Sequence, residues 1–126
     1  MDGSGRCLCG AVKFQATDVE PHVHICHCSM CRRWNGGPAM AAPVGSVAFE
    51  GAENLGRYAS SDWAERGFCR QCGSNLFYLL KPNRYIIGAG LFDQQRFELE
   101  GEIYCEGKPD WYDFAGDHPK NAQLPL

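Results

Sequence analysis

The chain has 126 residues, the size of one ordinary folding unit, so residues 1–126 are expected to form a single domain. Its 44% hydrophobic, 12% aromatic and 21% charged residues exclude a disordered or membrane-embedded chain, and its formal charge of −3 argues against holding nucleic acid or anionic lipid by bulk charge. The anomaly is eight cysteines, at positions 7, 9, 26, 28, 31, 69, 72 and 105, of which only the last stands alone.

Met1-Asp2-Gly3-Ser4-Gly5-Arg6 lacks the apolar run of a signal peptide, and no stretch approaches the roughly 18 apolar residues of a membrane span. The expected location is the cytoplasm, where clustered cysteines more often bind metal or do redox chemistry than form disulfides. Fifteen glycines and seven prolines interrupt short apolar runs throughout, which predicts a mainly β fold of many short strands.

In chain order, Cys7-Leu8-Cys9-Gly10 comes first, followed by a strand over residues 11–16, where Val12 and Phe14 alternate with Lys13 and Gln15. His22 and His24 alternate on an approach to Cys26-His27-Cys28-Ser29-Met30-Cys31, and they show no pattern of their own. Ser29 is placed to cap a short helix through Trp34 that Asn35-Gly36-Gly37 ends, holding Cys31 against Cys26 and Cys28. Further strands are predicted at Ser46–Glu50, which closes the bland stretch 38–50, and at Asn75–Leu80, 85–90 and 101–105. The tail, 108–126, reads as an irregular segment packed through Trp111, Tyr112 and Phe114, with no role for His118.

Cys69-Arg70-Gln71-Cys72-Gly73 has the form of a zinc knuckle, in which glycine after the second cysteine lets backbone amides turn toward the sulfurs. Two thiolates are half of a tetrahedral site, and Cys7 and Cys9 are natural partners for them; a thioredoxin-like dithiol is the alternative. Three thiolates at 26, 28 and 31 can hold one face of a metal and leave its fourth position free, as catalytic zinc requires. Spacing leaves two points open. It does not decide which sulfurs share a metal, and Cys105, His22, His24, His27 or a carboxylate can serve as a fourth ligand, although Cys105 is read here as a free thiol.

The order C-x-C-G, C-H-C-x-x-C-R-R and C-x-x-C-G-S, with Gly88-Ala89-Gly90-Leu91-Phe92-Asp93 and Ile103-Tyr104 beyond it, resembles the glutathione-dependent formaldehyde-activating enzyme family, whose domain also occurs in centromere protein V-like proteins. The likeness runs from Cys7 to about Trp111, and Glu102 stands where many members have a histidine. It implies a β-tent or distorted β-sandwich stabilised by zinc. It also implies two zinc ions per chain, a structural one on Cys7, Cys9, Cys69 and Cys72 and a second on Cys26, Cys28 and Cys31, where a small thiol such as glutathione binds. The implied activity is that of a carbon–sulfur lyase joining that thiol to a small aldehyde such as formaldehyde, as in S-(hydroxymethyl)glutathione synthesis.

In this reading Arg32 or Arg33 offsets the negative charge of the three-cysteine site or pairs with a substrate carboxylate, unless both are merely solvated. His27 exchanges a proton near the aldehyde oxygen, or is simply an exposed spacer. The rival from another class is a non-catalytic, zinc-stabilised binding module for a protein partner, for which Cys105 would close the second site. A third is a thiol-redox protein without permanent metal.

Overall fold

The computed structural model describes residues 1–124, so the last two residues of the predicted tail lie outside the described residues. Strands β1 (Gly3–Arg6), β2 (Lys13–Thr17) and β5 (Ser46–Glu50) form an antiparallel sheet in the order β1-β2-β5. A larger open sheet holds β3 (His22–Cys26), β4 (Ala39–Pro43), β6 (Leu55–Ala59), β7 (Ala64–Cys69), β8 (Asn75–Leu80), β9 (Arg84–Gly88) and β10 (Glu98–Ile103). Its order is β10-β3-β4-β9-β8-β7-β6. The fold is thus mainly β, as its glycine and proline punctuation predicts.

The predicted alternation places the core. Phe14 and Ala16 on β2 point inward, as does Val12 just before it, while Lys13, Gln15 and Thr17 face water. Against them pack Leu76, Phe77 and Leu79 of β8 and Ile87 of β9, with Phe92 edge-on to Phe14 at 5.1 Å between ring centres. Burying a side chain of this kind contributes roughly 1.5–3 kcal/mol, and these residues bind the small sheet to the large one.

One pairing departs from the antiparallel rule and decides where the chemistry sits. β10 runs parallel to β3, with Glu102 opposite Ile25 and Ile103 opposite Cys26, so both strands end at the same edge. β3 then leads into the helix α1 (Ser29–Asn35). After β10 the chain turns at Tyr104, whose φ of 54° lies in the left-handed region, into a single 3-10 turn, Cys105–Gly107. This early turn and the register shift between Leu99 and Gly101 place β10 earlier than the predicted 101–105.

The helix follows its prediction with one change. Cys28, not Ser29, is the capping residue: its backbone is extended and its sulfur accepts from the Cys31 amide at 3.4 Å. Gly36, at φ 70°, ends the helix in the left-handed conformation that glycine takes most readily.

Candidate metal centres and active site

The first cysteine group forms where β1 and β7 end. Cys7 and Cys9 lie in the turn after β1, and Cys69 and Cys72 lie at the end of β7 and in the turn toward β8. All four sulfurs fall within 4.8 Å of one another. Cys7 to Cys9 is 3.7 Å and Cys9 to Cys69 is 3.8 Å. Four sulfurs each about 2.3 Å from a tetrahedral zinc stand about 3.8 Å apart, so the group fits that ion.

Backbone amides favour thiolates here. The amides of Val12, Ala11 and Gln71 point at Cys7, Cys9 and Cys69 at 3.4, 3.4 and 3.3 Å. Gly10 and Gly73, at φ 82° and 79°, make the two turns that aim them. Ser74 joins the two halves: its hydroxyl accepts from the Leu8 amide at 3.1 Å and lies 3.2 Å from the Cys72 sulfur. The Ser74 hydroxyl and amide bring the Cys72 thiol down to about 5. Sequence reasoning gave Ser74 no role, although it stands directly after the C-x-x-C-G motif.

The second group is Cys26, Cys28 and Cys31, from the end of β3 and the start of α1, again with all sulfurs within 4.8 Å. No fourth cysteine, histidine or carboxylate joins it among the described residues. The Cys26 and Cys31 thiols beside it, with the Cys31 amide, hold Cys28 far below the ordinary thiol value. The same contacts, with burial added, push Cys26 far above it. Three thiolates cannot coexist here without a cation, so this donor set also fits a bound metal.

The positive charge beside this group comes from Arg66 of β7. Both its Nη atoms are 3.9 Å from the Cys31 sulfur, and the residue is only 5% exposed. Sequence reasoning looked for this charge in Arg32 and Arg33, which follow Cys31 on α1. Successive helical residues are turned about 100° apart, so neighbours in sequence do not share the face of Cys31. Arg33 is exposed, whereas Arg32 lines a cavity of about 180 Å³ with Gly36, Gly37, Pro109, Trp111 and Tyr112.

His27 is not an exposed spacer. It is 1% exposed, because the parallel pairing of β3 and β10 carries its ring against Glu102, also 1% exposed. Its Nε2 lies 2.7 Å from Glu102 Oε1 and its Nδ1 lies 3.0 Å from the Tyr112 hydroxyl. With Nε2–H donating to the carboxylate, a neutral ring accepts from Tyr112 through Nδ1. His118, given no role from sequence, reaches Glu102 Oε2 at 2.5 Å. Burial opposes the charge on Glu102, yet the bonds from His118 and His27 hold its carboxyl below the ordinary value.

Cys105 gathers with His27 and Glu102, within 4.8 Å, and not with the three cysteines. Nitrogen and oxygen ligands of a tetrahedral ion stand about 3.3 Å apart, so the 2.5 and 2.7 Å contacts of Glu102 are hydrogen bonds. Burial and the Glu102 charge raise the Cys105 thiol.

The segment after Gly107 closes this edge. Lys108 bonds the Pro109 and Tyr112 carbonyls and the Asp113 carboxylate, and its ammonium lies 4.9 Å from the centre of the Tyr112 ring. Asn121 returns to the sheet, its amide donating to the Glu102 carbonyl and its carbonyl accepting from the Cys105 amide. No helix is long and apolar enough to cross a membrane among the described residues.

Comparison with known proteins agrees with these motifs. An uncharacterised lyase of Schizosaccharomyces pombe is 40% identical over 115 residues, covering 88% of this chain and 84% of its own. A Halomonas elongata protein named "Putative glutathione-dependent formaldehyde-activating enzyme" is 30% identical over 124 residues, covering 85% of this chain and 77% of its own. A crystal structure of a Rhodobacter sphaeroides protein shares the fold, with a TM-score of 0.62, 24% identity and coverage of 93% of this chain and 98% of that one. The family model for the glutathione-dependent formaldehyde-activating enzyme matches residues 2–107, and the chain belongs to that family.

Proposed function

We propose that residues 1–126 act as one zinc-binding domain with carbon–sulfur lyase activity of the S-(hydroxymethyl)glutathione synthase kind. It joins a small thiol such as glutathione to a small aldehyde such as formaldehyde, or releases the two. Cys7, Cys9, Cys69 and Cys72 hold a structural zinc, and Cys26, Cys28 and Cys31 hold a second. The observation that carries the reading is the contrast in ligand number: four sulfurs converge in one group, three in the other, with no fourth ligand among the described residues.

Zinc bound to the three sulfurs supplies the charge that keeps an incoming thiol deprotonated at neutral pH. Arg32, on the wall of the neighbouring cavity, is placed to pair with a carboxylate of that thiol. The thiolate sulfur forms a bond to the aldehyde carbon as the carbonyl π bond breaks, and the resulting oxyanion takes a proton. Tyr112 lines the same cavity and bonds His27, so this proton passes through its hydroxyl, with His27 as the positioning residue behind it. The lyase direction reverses each transfer.

The binding-module alternative needs a fourth ligand on the second group. Cys105, which would supply it, lies with His27 and Glu102 instead, which supports the enzyme reading.

The test is a glutathione titration of protein carrying cobalt in place of zinc. A thiolate-to-cobalt charge-transfer change that survives Cys105→Ser and is absent in Cys28→Ser is the expected result. It is paired with the rate of S-(hydroxymethyl)glutathione formation, measured against the uncatalysed rate. No spectral response at millimolar glutathione, or no rate above background, overturns the proposal.

A further inference from the structure

Arg66 is a buried cation with no carboxylate partner. The arginine ion pair among the described residues is that of Arg57 with Glu65, and nothing equivalent reaches Arg66. A buried guanidinium without a counter-charge is strongly unfavourable, so the negative group beside it has to be found. That group is the three-cysteine cluster, since both Nη atoms stand 3.9 Å from the Cys31 sulfur.

Its position is fixed from three sides. Arg66 lies on β7 between β6 and β8, directly opposite Tyr58 on one strand and Tyr78 on the other. Its guanidinium carbon is 5.0 Å from the centre of the Tyr78 ring and 5.9 Å from that of Trp34. Trp34 follows Cys31 by three residues on α1, so sulfur and indole occupy one face of the helix and meet the guanidinium together. Aromatic faces attract a cation without neutralising it, and they leave its charge for the sulfur.

We propose that Arg66 is a positioning residue for thiol capture. It is the fixed counter-charge of the three-sulfur group, and it makes that group accept an anionic fourth ligand in preference to an uncharged one. This rests on the second zinc site proposed above. Three thiolates on a divalent ion leave one negative charge, and a captured thiolate adds a second. The buried guanidinium offsets one of the two in a medium where solvent does little of that work. Arg66 acts through Cys31 and makes no contact with substrate.

The experiment uses the cobalt-loaded protein and three probes: glutathione, 2-mercaptoethanol and imidazole. The first two bind as thiolates, and only glutathione carries carboxylates; imidazole binds uncharged. Arg66→Gln is expected to weaken both thiols by about tenfold, with imidazole affinity unchanged, and Arg66→Lys to restore most of the thiol affinity. Equal losses for thiols and imidazole mean a merely structural role and overturn the proposal. A loss confined to glutathione assigns Arg66 to a substrate carboxylate, and no loss leaves it without function here; both also overturn it.

If Arg66→Gln fails to load cobalt, Arg66→Lys carries the same comparison. It is expected to keep the wild-type preference for thiol over imidazole, and disappearance of that preference overturns the proposal. A wild-type protein whose spectrum responds to neither thiol removes the lyase reading itself, and this inference with it.

Discussion

His27 Nε2 and Glu102 Oε1 meet at 2.7 Å across 75 positions of sequence, at the edge where the only parallel strand pair among the described residues comes to an end. One ring nitrogen is thereby taken up by a carboxylate, and the other is left for Tyr112. A histidine enclosed between Cys26 and Cys28 is held in this way by residues from β10 and from the segment beyond it.

Replacing Glu102 tests that hold. Glu102→Ala leaves two histidine nitrogens without their acceptor in a buried place, and is expected to cost about 3 kcal/mol of unfolding free energy. Glu102→Gln keeps the shape and one acceptor oxygen and is expected to cost less than half of that. Urea unfolding with zinc held constant measures both.

The same pair predicts a pH dependence. The groups facing the Glu102 carboxyl are His27, His118 and the Cys105 thiol. Its pKa is depressed in the folded chain from the ordinary 4.5, so its stabilisation is fully present above that value and is lost as pH falls through the folded pKa. The stability difference between wild type and Glu102→Gln is expected to shrink as pH falls below about 4.5. Taking the difference removes the contribution of acid on the cysteine groups, which both proteins share. A difference that grows in acid contradicts this assignment.

The sequence made some parts of the molecule plain and hid others for physical reasons. Ser46–Glu50 and Asn75–Leu80 coincide with β5 and β8, because short apolar runs bounded by turn residues read as strands, whereas the helix was found with its cap one residue late, at Ser29 in place of Cys28. β7 escaped prediction. Arg66 and Gly67 are buried in succession where the register shifts between Gly67 and Phe68, and such a bulge erases alternation. The cysteine groups were legible because metal ligation demands particular residue types at short spacing. Arg66, His118 and the buried state of His27 were not, because each depends on contacts between segments far apart in the chain.

Metal ligands are expected to divide by consequence. Apparent binding free energies of about 10–16 kcal/mol for structural zinc match or exceed the roughly 5–15 kcal/mol net stability of a domain. Cys69→Ser is therefore expected to unfold the protein or make it insoluble. Cys28→Ser is expected to remain folded with about one zinc atom per chain in place of two, and Cys105→Ser to keep both. Elemental analysis beside circular dichroism separates the three variants. Two zinc atoms retained in Cys28→Ser would contradict the assignment of this ligand.

Gly5→Ala probes the joint between β1 and the core. A Cβ there would stand 2.2 Å from the Leu91 carbonyl oxygen and 2.5 Å from the Phe14 ring, and a backbone oxygen cannot swing aside as a flexible side chain can. Gly5 also bridges Phe92, so relief of the clash requires the two segments to part. The expected cost is about 3 kcal/mol, read from the urea midpoint at unchanged slope. The cysteines at 7 and 9 follow directly after β1, and zinc content is expected to fall with stability.

Tyr112 and Trp111 are adjacent aromatic residues with opposite expectations. Tyr112 is half-buried with its hydroxyl 3.0 Å from His27, whereas Trp111 is 80% exposed and lies against the Tyr112 ring at 4.5 Å between centres. Tyr112→Phe removes one hydrogen bond to a buried imidazole and is expected to cost about 1 kcal/mol of stability. It is also expected to slow the lyase reaction at least tenfold, since the proposed proton path runs through that hydroxyl. Trp111→Ala is expected to change stability by less than about 0.5 kcal/mol. Its effect on catalysis should fall on KM through the cavity wall it shares with Arg32, with kcat retained. Equal loss of kcat in both variants would assign these residues to a common packing role and remove Tyr112 from the proton path.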